Sequence, residues 1–264
     1  MDSVELDGLN VAYTRAGNGP PLVLLHGYVG DGFTTWQQQL EEFSDEFTVV
    51  AWDAPGAGQS SDPPEDFGTA GYADCLAKFI DRLDLRNPHV IGLSFGGALA
   101  IEFARRHPGI PASLVLASAY AGWGGSLPAD AARQRLQQAL QLSGLTPDRF
   151  VDTLLPTMFR PSTPAETVDA FGTSMRQFHP AGFRAMARAA AEDLREALPL
   201  ISVPTLLVYG DQDVRAPLAV AHALNSAIAD STLVVLPGAG HVCNIDAADE
   251  FGATVRAFLH GRGS

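Results

Sequence analysis

The chain has 264 residues, 46% hydrophobic and 18% charged, which is enough apolar side chain for a buried core and too much for a disordered chain. A formal net charge of −13 leaves no basic footprint for nucleic acid, and no aliphatic run is long enough to span a membrane. The two cysteines, Cys75 and Cys243, exclude a disulfide framework and a cysteine-ligated zinc cluster.

The N-terminus, Met1-Asp2-Ser3-Val4-Glu5, shows no basic segment and no apolar one, so no secretion signal is read and a cytoplasmic protein is expected. Short apolar runs then alternate with longer helical patterns, the mark of a parallel α/β sheet. Residues 4–6 and 11–15 read as a short leading hairpin, and Pro21–Leu25 as a buried strand. Residues 34–43 read as a helix, 47–52 as a strand and 70–83 as a helix. Residues 90–93 form a strand that runs straight into a helix, Phe95–Arg106, and Ser113–Ala117 is the sixth strand. The single lysine, Lys78, sits among acidic neighbours in a helical pattern, a poor setting for Schiff-base chemistry.

From about Tyr120 to Leu198 no strand pattern occurs, and three or four helical segments are expected. Thr146-Pro147 and Thr163-Pro164-Ala165-Glu166 each place a capping residue before proline, and the second carries the glutamate of a capping box. After it, Val168, Phe171, Met175 and Phe178 fall on one helical face. Strands resume at residues 205–209 and 232–236, with helices near 218–228 and 247–259. The expected organisation is an α/β core, residues 1–119 and 199–264, interrupted by a helical insertion, residues 120–198. The insertion balances eight arginines against eight acids, so the core carries the whole net charge.

Gly92-Leu93-Ser94-Phe95-Gly96-Gly97 joins the fifth strand to its helix and matches Gly-x-Ser-x-Gly in that context. So tight a turn forces Ser94 into an unfavourable backbone conformation, and side chains at 92 and 96 would strike the neighbouring chain. The hydroxyl is lifted to the end of the sheet, with a helix N-terminus aimed at any anion formed there. A glycine-rich helix start that merely packs tightly is the plainer reading. The strand before, the helix after and the partners downstream favour a nucleophile.

A serine hydroxyl needs a base. Among seven histidines, His241 stands apart in Pro237-Gly238-Ala239-Gly240-His241, directly after a strand, where glycines leave the loop free to aim the ring. His26 lies in a loop after a strand, and His107 ends a helix, where its charge suits the dipole. For the orienting acid, Gly210-Asp211-Gln212-Asp213 follows a strand and offers two carboxylates, each otherwise a turn residue. The end of the preceding strand, residues 117–120, holds no carboxylate.

Together these residues resemble the α/β-hydrolase superfamily. The matching pieces, in order, are His26-Gly27-Tyr28-Val29-Gly30, Asp53-Ala54-Pro55-Gly56-Ala57-Gly58-Gln59-Ser60, the Ser94 turn, Gly210-Asp211-Gln212-Asp213 with Pro217, and Gly240-His241. The resemblance covers nearly the whole chain and looks like the cap-bearing serine esterase and lactonase branch. It implies an eight-stranded, mostly parallel sheet flanked by helices, with the insertion after the sixth strand as a helical cap. It implies Ser94 as nucleophile and His241 as base. As the last residue of Gly-x-x-Asp, Asp213 becomes the acid, and Asp211 is left to the turn. An oxyanion hole is implied from the backbone N–H groups of Tyr28 and Phe95. Gly27 lets that loop approach closely, His26 braces it, and Asp53 is structural. The implied reaction is two-step acyl transfer to water, with no metal and no cofactor.

Other chemistries on this fold fit less well. Dehalogenases and epoxide hydrolases of the superfamily use an aspartate where Ser94 stands, and hydroxynitrile lyases a lysine, of which none follows Lys78. Carbon–carbon bond hydrolases keep the serine triad but usually carry a tryptophan after the histidine, where Val242 and Cys243 follow here. A cofactor-free haloperoxidase or perhydrolase shares the triad, and a hydrolase-fold receptor for a small hydrophobic signal keeps it without turnover. Met158, Phe171, Met175, Phe178 and Met186 in the insertion, with Trp36 on the first helix, are the candidates for a substrate pocket. Packing of insertion on core is the competing use of each. The expected partner is a small to medium apolar ester or lactone, with no nucleic acid and no membrane; a homo-oligomer is compatible with the sequence.

Overall fold

In the computed structural model, which describes residues 1–261, each short aliphatic run forms a strand. The leading hairpin is β1 (Asp2–Leu6) and β2 (Leu9–Ala16), closed by Asp7 and Gly8 at φ 50° and 84°. Then come β3 (Pro21–Leu25), β4 (Thr48–Trp52), β5 (His89–Leu93), β6 (Ser113–Ala117), β7 (Thr205–Gly210) and β8 (Ser231–Leu236). The sheet order is β1-β2-β4-β3-β5-β6-β7-β8, antiparallel at β1/β2 and β2/β4 and parallel elsewhere. From β3 to β7 the strands are buried almost throughout, which is why they read as continuous apolar runs rather than alternations. The edge strands β1 and β8 are partly exposed.

Helices α1 (Gly32–Phe43), α2 (Gly68–Arg82) and α3 (Phe95–Arg106) follow β3, β4 and β5. Because β4 pairs on one side of β3 and β5 on the other, the loops after β3 and β5 part above the sheet and leave a crevice. The site described below lies at these two loops.

Between β6 and β7 stand five helices rather than three or four: α4 (Gly122–Ser126), α5 (Ala129–Leu142), α6 (Pro147–Leu154), α7 (Ala165–Met175) and α8 (Pro180–Ala190). Two 3₁₀ turns, Leu155–Thr157 and Arg195–Leu200, complete the segment. α7 packs on α1, and α8 on α2 and α3. Asp31 ties the two parts together: it caps α1 through the Thr34 N–H (2.7 Å) and accepts a hydrogen bond from the Ser174 hydroxyl of α7. After β7 come α9 (Leu218–Ala227), α10 (Cys243–Asp246) and α11 (Ala248–His260).

Three local expectations need correction. Thr163 starts no capping box; Pro164 is the N-cap of α7, and the Thr163 hydroxyl donates instead to Asp246 Oδ1 at 2.5 Å. Thr146 is the N-cap of α6 with Pro147 next, as expected, but its side chain makes no cap bond. Phe178 lies beyond the end of α7, so it does not share that helix face. The single turn α10 is too short to leave a period in the sequence.

Candidate active site

The β5–α3 turn holds Ser94 at φ 53° and ψ −108°, a conformation that a side chain disfavours. A Cβ on Gly92 would stand 2.2 Å from the Gly96 carbonyl oxygen, and one on Gly96 would stand 2.2 Å from that of Leu25. Only glycine fits at either place, because β5, α3 and the end of β3 meet there backbone to backbone. The Ser94 N–H donates to the Ala117 carbonyl at 2.8 Å, which fixes the turn against β6.

His241 follows β8 and reaches the serine: Nε2 lies 3.0 Å from Ser94 Oγ. On its other edge Nδ1 donates to Asp213, 2.9 Å from Oδ2 and 3.1 Å from Oδ1. Asp213 Oδ1 also accepts the N–H groups of Arg215 and Ala216, both at 2.8 Å. Burial alone would raise the Asp213 carboxyl. The charge and hydrogen bond of His241 and the two backbone donors outweigh it and hold the group below the usual carboxylate range. Asp211 points elsewhere: it is exposed, and its Oδ1 accepts the Gly238 N–H at 2.7 Å, tying the β7 loop to the β8 loop. The turn role read for it is thus a bond between two loops.

The loop after β3 carries Tyr28 beside the serine. Among the described residues, the backbone N–H groups of Tyr28 and Phe95 have no protein acceptor. Gly27 is not demanded by close packing, since a Cβ there would meet Ser94 Cβ and the Leu93 oxygen at 3.9 Å, an ordinary contact. His26 is held as a neutral ring, its Nδ1 donating to the Gly27 carbonyl (2.5 Å) and its Nε2 accepting the Ala54 N–H (2.9 Å). Asp53 accepts the N–H groups of Gly32 and Gln59, both at 2.8 Å.

Burial lowers the pKa of His26, against the charges of Asp53 and Asp31 that would raise it. The unfolded chain therefore binds a proton, below about pH 6.5, that the folded loop refuses. Stability linked to His26 is complete above that value and is lost as pH falls from it. Melting temperatures taken at about pH 7.5 and about pH 5.5 should fall more for the wild type than for His26→Gln. An equal fall in both proteins removes His26 as a source of the acid sensitivity.

Ser94 opens into a cavity of about 10 Å³ lined by Gly27, Tyr28, Leu93, Met158, Phe171 and His241. Phe178 and Met186 line a second small cavity that shares Tyr28 and Val29 with the first, and Phe183 stacks on the Tyr28 ring. Phe171 is shared with a wider groove of about 350 Å³ between α1 and α7. Two candidates stand apart from these cavities. Trp36 is buried against Phe251 of α11, ring centroids 6.2 Å apart, and Met175 is buried within the packing of α7. Both serve the packing that competed with a pocket role.

Several contributors to this region carry no motif. The Met158 carbonyl accepts the N–H groups of His241 and Val242, at 3.0 and 3.2 Å. Arg215 donates to Tyr28 Oη at 2.7 Å and to Thr157 Oγ1 at 2.9 Å. Asp246 is buried beside the His241 loop. The only sequence signal for it is a lone carboxylate inside the mostly apolar stretch Val242–Ala247.

A family model described as alpha/beta hydrolase fold matches residues 20–248. The chain belongs to the α/β-hydrolase family. It is 29% identical to 3-oxoadipate enol-lactonase 2 of Acinetobacter baylyi, over 90% of this chain and 88% of that protein. A thermophilic esterase from Thermogutta terrifontis superposes with a TM-score of 0.89 at 29% identity, covering 99% of this chain and 97% of that one. The enol-lactonase from Burkholderia xenovorans superposes with a TM-score of 0.90 at 25% identity, covering 98% and 100%. Along the chain the three bonded residues come in the order Ser94, Asp213, His241. No helix among the described residues is long and apolar enough to cross a membrane.

Proposed function

We propose that the protein is a serine hydrolase that cleaves carboxylic esters or lactones of small apolar substrates through an acyl-enzyme. The observation that carries this reading is the unbroken relay from Ser94 Oγ through His241 to the buried Asp213, with bonds of 3.0 and 2.9 Å. The ester and enol-lactone names of similar proteins support the substrate class.

In this mechanism Ser94 Oγ bonds to the substrate carbonyl carbon while its proton passes to His241 Nε2. Asp213 keeps the remaining ring proton on Nδ1 and stabilises the imidazolium. The carbonyl oxygen becomes an oxyanion facing the N–H groups of Tyr28 and Phe95, each such donor being worth roughly 3–4 kcal/mol. Collapse breaks the ester bond, and the leaving alkoxide takes the proton from His241. From a lactone the alcohol stays attached to the acyl group. Water then repeats the sequence in reverse and frees Ser94. The helical segment, residues 120–198, acts as the cap over a core of residues 1–119 and 199–264, supplying Met158 and Phe171 to the cavity wall.

The cavity at Ser94 has room for about one water molecule. Acetyl and propionyl groups therefore demand the least movement of Met158 and Phe171. With p-nitrophenyl esters of rising acyl length and a set of small lactones, kcat/KM should be highest for the shortest acyl chains and fall with length. Absence of hydrolysis across the whole panel would sink the proposal.

A further inference from the structure

The loop that carries His241 is fastened to the helical segment as well as to the sheet. The N–H groups of His241 and Val242 both end on the Met158 carbonyl, which belongs to the stretch between α6 and α7. The preceding Gly240 N–H donates to Asp246 Oδ2 at 2.8 Å, and the same oxygen accepts the Arg160 N–H at 3.1 Å. The other oxygen, Oδ1, accepts the Thr163 hydroxyl. One buried carboxylate thus joins the residue before the histidine to two residues of the helical segment. Gly240 is pressed into this joint: a Cβ there would stand 2.8 Å from Asp246 Oδ2 and 3.2 Å from the Met158 oxygen.

We infer that Asp246 is a positioning residue that sets the place of the His241 ring, between Asp213 on one edge and Ser94 on the other, by fastening the histidine loop to residues 158–163. Asp246 touches neither the serine nor the space at the serine, so its effect passes through the loop. The inference rests on the hydrolase reading for its kinetic consequence. Its geometric consequence, the His241–Asp213 hydrogen bond, stands without it. A shift of about 1 Å at a reacting group costs on the order of 10²-fold in rate.

Asp246→Ala removes all three bonds. Asp246→Asn keeps them: its amide oxygen accepts the two N–H groups, and its NH₂ donates to Thr163 Oγ1, whose proton turns away. In Asp246→Ala, kcat on a short p-nitrophenyl ester should fall on the order of 10²-fold with KM within about twofold, and Asp246→Asn should recover most of it. The far-downfield proton resonance of His241 Nδ1–H bonded to Asp213 should weaken or move in Asp246→Ala and return in Asp246→Asn. Circular dichroism checks that both variants are folded. An unchanged resonance in folded Asp246→Ala overturns the inference whatever turnover does. A wild type that hydrolyses no ester overturns the hydrolase reading alone, and the resonance then decides this one.

Discussion

Replacing Ser94 with alanine is expected to lower kcat by at least about 10⁴-fold, because the covalent route disappears. What remains is the catalysis that binding and the two N–H donors supply to direct attack by water. The fold should survive. Alanine keeps a Cβ at φ 53°, so the backbone strain is the same, and the Ser94 N–H keeps its bond to the Ala117 carbonyl. The lost hydroxyl leaves His241 Nε2 facing the small cavity, a polar position that water can serve. Purified Ser94→Ala should therefore melt close to the wild type while failing in the ester assay. Near-native hydrolysis by that variant would remove Ser94 from the nucleophile role.

Asp213→Asn should cost about three to four orders of magnitude in kcat, against about tenfold or less for Asp211→Asn. The hydrogen bonds around Asp213 say why. Its Oδ1 takes the backbone N–H groups of Arg215 and Ala216, so an asparagine oxygen is drawn to that place. The amide NH₂ then faces His241 Nδ1, which must become an acceptor. The ring proton moves to Nε2, and the atom that should receive the serine proton already carries one. Asp211 lies outside the relay and holds the Gly238 N–H. Its replacement weakens a bond between two loops worth about 1 kcal/mol, read as a lower melting temperature. Turnover of folded protein and thermal melting separate the two effects. A crippled Asp211→Asn beside an active Asp213→Asn would reassign the acid.

The strands were legible because burial on both faces leaves aliphatic runs with no polar interruption, as at Leu22–Leu25 and Leu114–Ala117. The Ser94 turn was legible because steric exclusion at Gly92 and Gly96 writes itself as glycine. His241 stood out by the glycines of the loop that leads to it, whereas Asp211 and Asp213 both lie in the loop after β7 and only the resemblance to a family pattern preferred Asp213. What escaped has partners far along the chain. Thr163 looks like a capping residue until Asp246, 83 positions on, takes its hydroxyl. Asp246 itself belongs to no local pattern. Trp36 and Met175 are apolar residues on amphipathic helices, and nothing local distinguishes a side chain that meets another helix from one that meets a substrate. Met158 is harder still, since its contribution to the His241 loop is a backbone carbonyl that any residue would supply.

The conformation of Ser94 sets folding and chemistry against each other at one residue. A non-glycine residue held at φ 53° and ψ −108° stores about 1–3 kcal/mol. That is a sizeable part of the roughly 5–15 kcal/mol that separates a folded domain from its unfolded chain. Selection for thermal endurance alone would write glycine at 92, 94 and 96 alike. A laboratory screen that rewards survival on heating and ignores turnover would accordingly enrich Ser94→Gly, a sturdier molecule without the hydroxyl that faces His241.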